Sequence, residues 1–254
     1  MTVHTVERIA MDRLNRIMPA YPEDAREDRL PLHHELFLIC HDDETGRRHI
    51  SERVLSLGLA AAILLELWLL HRIHVGWRFD VRSGGYLLDE GRVSVLRYEK
   101  TGDPILDSAL TTLWELGPRP QVRDFVKRFA ADNLYERVRG YLVAAQVIQR
   151  ETRKRFLFFR TDIYLPVDSS RSVRARTAIR DLVDRHRQGS KGQPGEYGVL
   201  ALAGLAWALG LASHLIPMGM TPAAFHRWLE DLLDNRPSPT IRDVIGALRR
   251  RRSR

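Results

Sequence analysis

Histidines and acidic residues cluster early in the sequence, where their side chains could bind a metal ion. The densest group is His33-His34-Glu35, followed by His41-Asp42-Asp43-Glu44. Imidazole and carboxylate groups are common zinc ligands, but the chain has no HExxH spacing and no twelve-residue calcium-loop pattern. Its single cysteine, Cys40, has no partner for a disulfide or a cysteine-based zinc site. We therefore predict no metal site and interpret these residues as solvated turn residues.

The sequence motifs that usually mark catalysis do not occur in this chain. The segment GSKGQPG at 189–195 contains Gly and Lys, but it lacks the GxxxxGK[ST] order that cradles phosphates. The GxSxG turn that exposes a nucleophile and the GxGxxG dinucleotide turn are also missing. We interpret 189–195 as a flexible loop, and we predict that the protein is not an enzyme and uses no cofactor.

Cations and large apolar residues meet in the segment QRETRKRFLFFRTDIYLP. Guanidinium groups that flank an apolar tip could contact lipid phosphates while the rings enter the acyl boundary, a combination that stabilises peripheral membrane binding. The alternative is that a Phe-rich strand packs into the core or a subunit interface, since alternation places half of its residues on each face. The predicted membrane-contact residues are Arg150, Arg153, Lys154, Arg155, Phe156, Leu157, Phe158, Phe159 and Arg160.

The charge balance favours anionic partners. The chain has 40 Lys plus Arg against 32 Asp plus Glu, a net charge of +8, which suits acidic lipid or nucleic acid. The segment SSRSVRARTAIRDLVDRHR carries six arginines, but Asp181 and Asp184 interrupt it. We therefore keep two alternative functions. The first is a protein-protein adaptor that uses the Phe-rich hairpin for self-association, and the weaker one is nucleic-acid binding.

The residues before the globular region form a separate segment. Val6, Ala10, Leu14 and Ile17 recur at helical spacing and predict a short amphipathic helix. A charged, proline-containing linker follows, so we assign 1–29 to this segment and its linker. The N-terminus carries charges throughout and does not resemble a secretory signal. We expect a cytoplasmic protein.

Residues 30–250 predict one mainly α-helical domain around a central helix bundle, followed by a basic tail at 251–254. Alternating patterns in HVGWRFDV and GRVSVL, separated by a Ser-Gly-Gly turn signal, predict a small additional strand pair. Ser51, Asp103, Thr221 and Thr240 are predicted helix starts. Leu32, Leu36 and Ile39 form a helical stripe, and an apolar helix follows Ser51. Further helices are predicted at 104–116, 120–131, 133–147, 170–187, 197–215, 222–233 and 240–250.

The segment GVLALAGLAWALGLASHLI contains nineteen residues without Asp, Glu, Lys or Arg. Such a run is long enough to cross a bilayer, and a membrane span is the rival interpretation. A helix that is apolar on every side is also what the centre of a large bundle requires. We predict a buried core helix over 197–215.

Several blocks of the sequence resemble the Golgi phosphoprotein 3 family in order and spacing. They are LPLHHELFLICHDDETGR, SLGLAAAILLELWLLHRI, KTGDPILDSAL, ERVRGYLVAAQVI and RFLFFRTDIYLPV. The resemblance spans roughly residues 30–250 and implies a helical domain with a projecting β-hairpin that inserts into membranes and self-associates. Eukaryotic members bind phosphatidylinositol 4-phosphate and act as adaptors for glycosyltransferases. The Arg-rich composition resembles a bacterial, actinobacterial member, for which we expect binding to the inner face of the cell membrane and unidentified client proteins.

The resemblance also locates the headgroup pocket of the family, which consists of one Trp and three Arg in eukaryotes. The matching positions here are Ser51, Ala60, Asp132 and Tyr135, and none keeps the family residue. We therefore expect no specific recognition of this phosphoinositide. Arg53 and Arg139 are possible substitute anion contacts, the alternative being that both are solvated surface arginines.

Overall fold

The structure is a computed structural model that describes residues 29–80, 85–155, 159–188, 196–215, 220–235 and 239–252. The predicted amphipathic helix and most of its linker, at 1–28, lie outside the described residues, as do the predicted loop at 189–195 and the last two residues of the predicted tail. The described elements are mainly helical, as the sequence predicted.

The first helix, α1 (Leu32–Ile39), is buried along its whole length. Its N-terminus would leave backbone N–H groups without partners, and the N–H of Leu32 donates to the Glu66 carboxylate at 2.8 Å. Arg29 lies 3.3 Å from Glu35 and 3.5 Å from Glu66. Glu66, which lies in an otherwise apolar helix, therefore caps the N-terminus of α1.

That apolar helix, α2 (Glu52–Leu69), is the centre of the bundle. Ser51 caps it, accepting a hydrogen bond from the N–H of Val54 at 3.4 Å, which confirms the predicted start. The helix contacts α1 and five later helices, so thirteen of its residues are buried. The later helices are α3 (Pro104–Glu115), α4 (Val122–Ala131), α5 (Leu134–Ala144), α6 (Ser170–Arg187), α7 (Tyr197–Ala208), α8 (Ala212–Leu215), α9 (Pro222–Asn235) and α10 (Pro239–Arg252).

The predicted additional strand pair is present. Strands β1 (Ile73–Asp80) and β2 (Gly85–Val95) pair antiparallel, with a bulge after Val75. The register shifts from Val75 opposite Val93 to Gly76 opposite Asp89, so the extra residues lie on β2. At this shift Gly76 has φ of 85°, a conformation that glycine adopts at little steric cost.

A second antiparallel pair forms the predicted hairpin. Strand β3 (Ile148–Arg155) pairs with β4 (Phe159–Pro166) in a register that runs from Ile148 opposite Pro166 to Arg155 opposite Phe159. At the base, Ile148 and Leu165 are buried, whereas Thr152 and Asp162 farther along are exposed. The hairpin therefore extends from the core into solvent.

The predicted single helix at 197–215 is wrong in its length. Helix α7 ends at Ala208, and α8 begins at Ala212 after Gly210, which has φ of 80°. The segment is buried in the core as predicted, with Leu202, Leu205 and Leu209 almost fully covered. Among the residues that the structure describes, no helix is long and apolar enough to span a bilayer.

Two other helix starts are confirmed and one is wrong. Asp103 caps α3 by accepting from the N–H groups of Ile105 and Leu106, and Thr221 accepts from Ala224 at the start of α9. Thr240 instead lies inside α10, where its hydroxyl donates to the Val75 carbonyl at 3.1 Å. The Thr240 hydroxyl therefore bonds to a distant strand and does not cap its own helix.

Candidate functional site

A broad cleft lies where the N-terminal turns of α2 meet the outer face of α4 and the end of α10. Its volume is about 1290 Å³, and the three helices pack against one another to form its walls. We call it the basic cleft. Its lining consists of Glu52, Arg53, Val54, Ser56, Leu57, Arg123, Asp124, Lys127, Ala130, Ala131, Asn133, Ala247 and Arg250.

The basic cleft has an excess of positive charge beside an apolar wall. It contains four cations, Arg53, Arg123, Lys127 and Arg250, against two carboxylates. One of these carboxylates lies 2.8 Å from Arg48, outside the lining, and the other is 3.7 Å from Arg123. Within the described ranges, the remaining three cations form no ion pair.

The cations occupy the cleft because of helical spacing. Arg123 and Lys127 are four residues apart and therefore share the exposed face of α4, while Phe125 and Phe129 are buried on the opposite face. Arg53 lies in the first turn of α2, where unpaired N–H groups favour an anion. A phosphate in this cleft would meet cations from three helices.

The chain matches the family model of Golgi phosphoprotein 3 (GPP34) over residues 32–248. It belongs to the Golgi phosphoprotein 3 family. The match extends from α1 almost to the end of α10, so it includes every helix that lines the basic cleft.

The four positions predicted by resemblance for the headgroup pocket provide little surface for a ligand. Ala60 is fully buried and Tyr135 is 4% exposed. Neither side chain can therefore reach a lipid headgroup from the core. Ser51 is exposed but serves as the cap of α2. Asp132 is exposed and lies 2.8 Å from Arg137, which offsets its repulsion of a phosphate.

Of the two possible substitute anion contacts, Arg53 lines the basic cleft and Arg139 does not. The Arg139 guanidinium carbon lies 4.3 Å from the Tyr164 ring centroid and 5.6 Å from that of Tyr135. It also forms an ion pair with Glu136. Arg139 therefore joins helix α5 to strand β4, and its charge is already compensated.

Tyr135 is the centre of a buried aromatic group. Its hydroxyl is 3.3 Å from Nε2 of His41, its ring stacks near Phe37, and Arg48 lies over its face at 4.8 Å from the centroid. Burial raises the pKa of the Tyr135 phenol. It also lowers the pKa of His41 to about 4, despite the bond to the Phe37 carbonyl.

The predicted membrane-contact residues lie along the hairpin. Arg150 and Arg153 are more than half exposed, and each lies within 4 Å of a hairpin carboxylate, from Asp162 and Glu151 respectively. Phe156, Leu157 and Phe158 lie outside the described residues. The backbones of Lys154, Arg155, Phe159 and Arg160 belong to the two strands, but their side chains also fall outside the described part of the structure.

The interpretation of the early histidines as solvated turn residues is wrong. His33 is 0% exposed, His34 4% and His41 5%, because α1 is covered on every side. Glu35 is buried too, and burial raises its pKa to about 7. Of the acidic run that follows, Glu44 is exposed in the turn.

Sequence reasoning found Arg53 but missed the other cations of the basic cleft. The available signal was the i, i+4 spacing of Arg123 and Lys127 on the polar side of an amphipathic segment. It could not show that the start of α2 and the end of α10 lie next to that face, since no local pattern reports tertiary contacts.

Proposed function

We propose that this protein is a peripheral membrane protein that binds anionic phospholipid, with the headgroup in the basic cleft and the β3–β4 hairpin against the bilayer. The observation that carries the proposal is the set of three cations beside an apolar wall, Arg53, Lys127 and Arg250, which have no ion-pair partner in the part of the chain that the structure describes. Cations that already neutralise a carboxylate gain little from a phosphate, whereas unpaired ones retain their full attraction.

The magnitudes are sufficient for reversible binding. A cation near an anionic surface contributes on the order of 1 kcal/mol, so the three cleft cations provide about 3 kcal/mol. Full burial of one Phe or Leu side chain adds about 1.5 to 3 kcal/mol. Two signals of this kind together give the stable peripheral attachment that one alone does not.

The biological role proposed with this chemistry is that of an adaptor at the inner face of the cell membrane. In this role the protein holds client proteins at the lipid surface and catalyses no reaction. The arginines of α6 support lipid over nucleic acid as the partner. Arg176 lies 2.6 Å from Asp43, Arg185 lies 3.1 Å from Glu196 and Arg171 lies 3.8 Å from Asp168, so three of the six are already paired within the fold.

The test is co-sedimentation with vesicles of phosphatidylglycerol or phosphatidylcholine at low and high salt. We expect binding to the anionic vesicles alone, weakening as salt rises, because the attraction is screened. The triple variant R53Q/K127Q/R250Q should bind at least tenfold more weakly. The matched control is R174Q/R180Q/R187Q, which removes the same charge from exposed positions on α6 and should bind like the wild type.

Two results would contradict the proposal. Equal binding to neutral vesicles would remove the role of charge, and equal loss in both triple variants would mean that the overall charge of the protein, not the cleft, attracts the lipid. A gel shift with duplex DNA that only the α6 variant abolishes would favour the nucleic-acid alternative.

The hairpin is tested by replacing Phe156, Leu157, Phe158 and Phe159 with Ser. We expect vesicle binding to be lost while the cooperative thermal transition, followed by circular dichroism, is kept. Loss of that transition would mean that these residues pack in the core. Sedimentation velocity on the same variant separates membrane contact from self-association. If these residues form a dimer interface, the variant should sediment as a monomer.

The selectivity of the cleft follows from its composition. Arginine and lysine side chains without a stacking indole attract charge but do not distinguish inositol from glycerol. We expect less than a tenfold preference, equivalent to about 1.4 kcal/mol, for phosphatidylinositol 4-phosphate over phosphatidylglycerol in vesicles of equal surface charge. A larger preference would require a specific pocket.

A further inference from the structure

A buried group of polar side chains lies away from the basic cleft, between α1 and the start of α3. It consists of His33, His34 and Asp103, which each offer one ligand atom within 4.8 Å of the others. His33 and His34 are neighbours in α1, and their ring centroids are only 4.2 Å apart. Asp103 reaches them from the N-terminal cap of α3.

The polar atoms of this group are buried without hydrogen-bond partners among the described residues. They are both ring nitrogens of His33, both of His34 and Oδ2 of Asp103. Nε2 of His33 and Oδ2 of Asp103 form only a long contact with each other, at 3.4 Å. A buried polar atom without a partner costs about 1 to 3 kcal/mol, so the three remaining ring nitrogens and this long contact require an explanation. A bound cation is one, because it would accept a lone pair from each residue.

One pair of ligand atoms already has the spacing of a small tetrahedral ion, and the three atoms, all within 4.8 Å of one another, would draw together on binding it. Nε2 of His33 lies 3.4 Å from Oδ2 of Asp103, close to the roughly 3.3 Å that separates two ligands of a tetrahedral zinc at about 2.0 to 2.1 Å each. The other carboxylate oxygen, Oδ1, accepts from the N–H groups of Ile105 and Leu106. This division holds the carboxylate in place and leaves Oδ2 directed at the imidazoles.

We propose that His33, His34 and Asp103 bind a divalent transition-metal ion of the zinc type. Two imidazole nitrogens and one carboxylate oxygen form a ligand set that favours such ions over magnesium or calcium. Three protein ligands leave a fourth position for water. The Asp103 side chain is 12% exposed although its Oδ2 is buried, so the site lies just beneath the surface. The Tyr141 ring stacks on His34 and holds its orientation.

The ion joins two elements that are distant in sequence, the buried helix α1 and the N-terminus of α3. Its role is structural, because an ion that binds the folded chain alone stabilises it by mass action. The site therefore predicts a metal-dependent melting temperature for a protein whose proposed lipid cleft is elsewhere.

The experiment uses the full chain, purified with a chelator and dialysed. Zn²⁺ is titrated by calorimetry and Co²⁺ by its visible absorption, with thermal melting followed in parallel. We expect one equivalent per chain and a higher melting temperature with zinc. Asp103→Asn keeps an N-cap, since Asn caps as well as Asp, but loses the carboxylate. It and His34→Gln should bind at least tenfold more weakly.

The matched control is His214→Gln, which breaks the other close histidine pair, His49 and His214, with ring centroids 4.1 Å apart. This variant should bind zinc like the wild type. The proposal is overturned if the folded wild type binds no stoichiometric metal, if Asp103→Asn binds as tightly as the wild type, or if His214→Gln loses the site. Should His34→Gln fail to fold, Asp103→Asn decides.

Discussion

Helices α7 and α10 approach so closely at Gly204 that a single methyl group should disturb the core. A Cβ added to Gly204 would overlap Cδ1 of Ile245 and lie 3.3 Å from its Cγ1. Ile245 is 2% exposed and lies in the core cluster, so its side chain has little room to move. Gly204→Ala therefore tests whether the absence of a side chain is what allows this contact.

Two opposing effects set the magnitude. Overpacking a core position costs about 1 to 3 kcal/mol, while Ala is better than Gly inside a helix by about 1 kcal/mol. We expect Gly204→Ala to lower the free energy of unfolding by about 1 kcal/mol. Ile245→Val alone removes Cδ1 and should cost about 0.5 to 1.5 kcal/mol.

The decisive measurement is the double variant. In the Ile245→Val background the added methyl group has space, so Gly204→Ala should become neutral or stabilising and the pair should couple by about 1 to 3 kcal/mol. Urea unfolding followed by circular dichroism gives all four free energies. The matched control is Gly140→Ala in α5, where no atom lies within 4 Å of the added Cβ, and this change should stabilise the protein by up to about 1 kcal/mol.

Additive effects at Gly204 and Ile245, within about 0.5 kcal/mol, would refute the steric argument. Equal destabilisation by Gly140→Ala would also refute it, since that result would assign the effect to backbone freedom and not to the helix contact.

Three further predictions follow from contacts outside that interface. Burial lowers the pKa of His41 from 6.5 to about 4. Between these pH values the unfolded chain binds a proton at His41 and the native chain does not. Stability due to this group is present above pH 6.5 and is lost as pH falls to 4, by about 3 kcal/mol at most. Urea unfolding of metal-free protein should show a flatter pH dependence over that range in His41→Gln, and an unchanged slope would disprove the assignment. Asp43 and Arg176 are 2.6 Å apart and mostly covered, so a double-mutant cycle with Asp43→Asn and Arg176→Met should give a coupling of about 1 to 2 kcal/mol, and independent effects would mean that the pair contributes nothing. Gly46 has φ of 65° and its added Cβ would lie 2.8 Å from the Tyr164 carbonyl oxygen, so Gly46→Ala should lower the melting temperature, whereas an unchanged melting temperature would show that the turn adapts.

Local chemistry explains which parts of the fold could be predicted. Two helix starts are predicted by a capping residue before proline, Asp103-Pro104 and Thr221-Pro222. This signal can be read from the sequence because the cap involves only a few consecutive residues. The sequence does not predict the break at Gly210, because a segment that is apolar on every side shows no helical periodicity whose interruption would mark a helix end. Thr240 was misassigned because its partner, the Val75 carbonyl, lies in a distant strand.

The same limit applies to the two sites. The basic cleft requires Arg53, Lys127 and Arg250 from three helices, and no spacing rule connects them. The sequence shows the histidine pair at 33–34, but the third proposed ligand, Asp103, is recognised there only as a helix cap, which does not indicate where its second oxygen points. Burial reversed the interpretation of these histidines, and burial is a property of the assembled bundle.

The contacts at the base of the hairpin hold strand β4 at Tyr164, so a small rotation there would move the far end of the strand. Arg139 lies over the Tyr164 ring on one side, and Gly46 lies against the Tyr164 backbone on another. If β4 tilts, these two contacts make Tyr164 the pivot. Phe159 is five residues away, about 17 Å along an extended strand. A tilt of about 10° at the pivot would therefore displace Phe159 by about 3 Å, a large part of the 5 to 10 Å depth of the bilayer interface. Small shifts of helix α5 would thus be magnified at the end of the hairpin that faces the membrane in the proposed function.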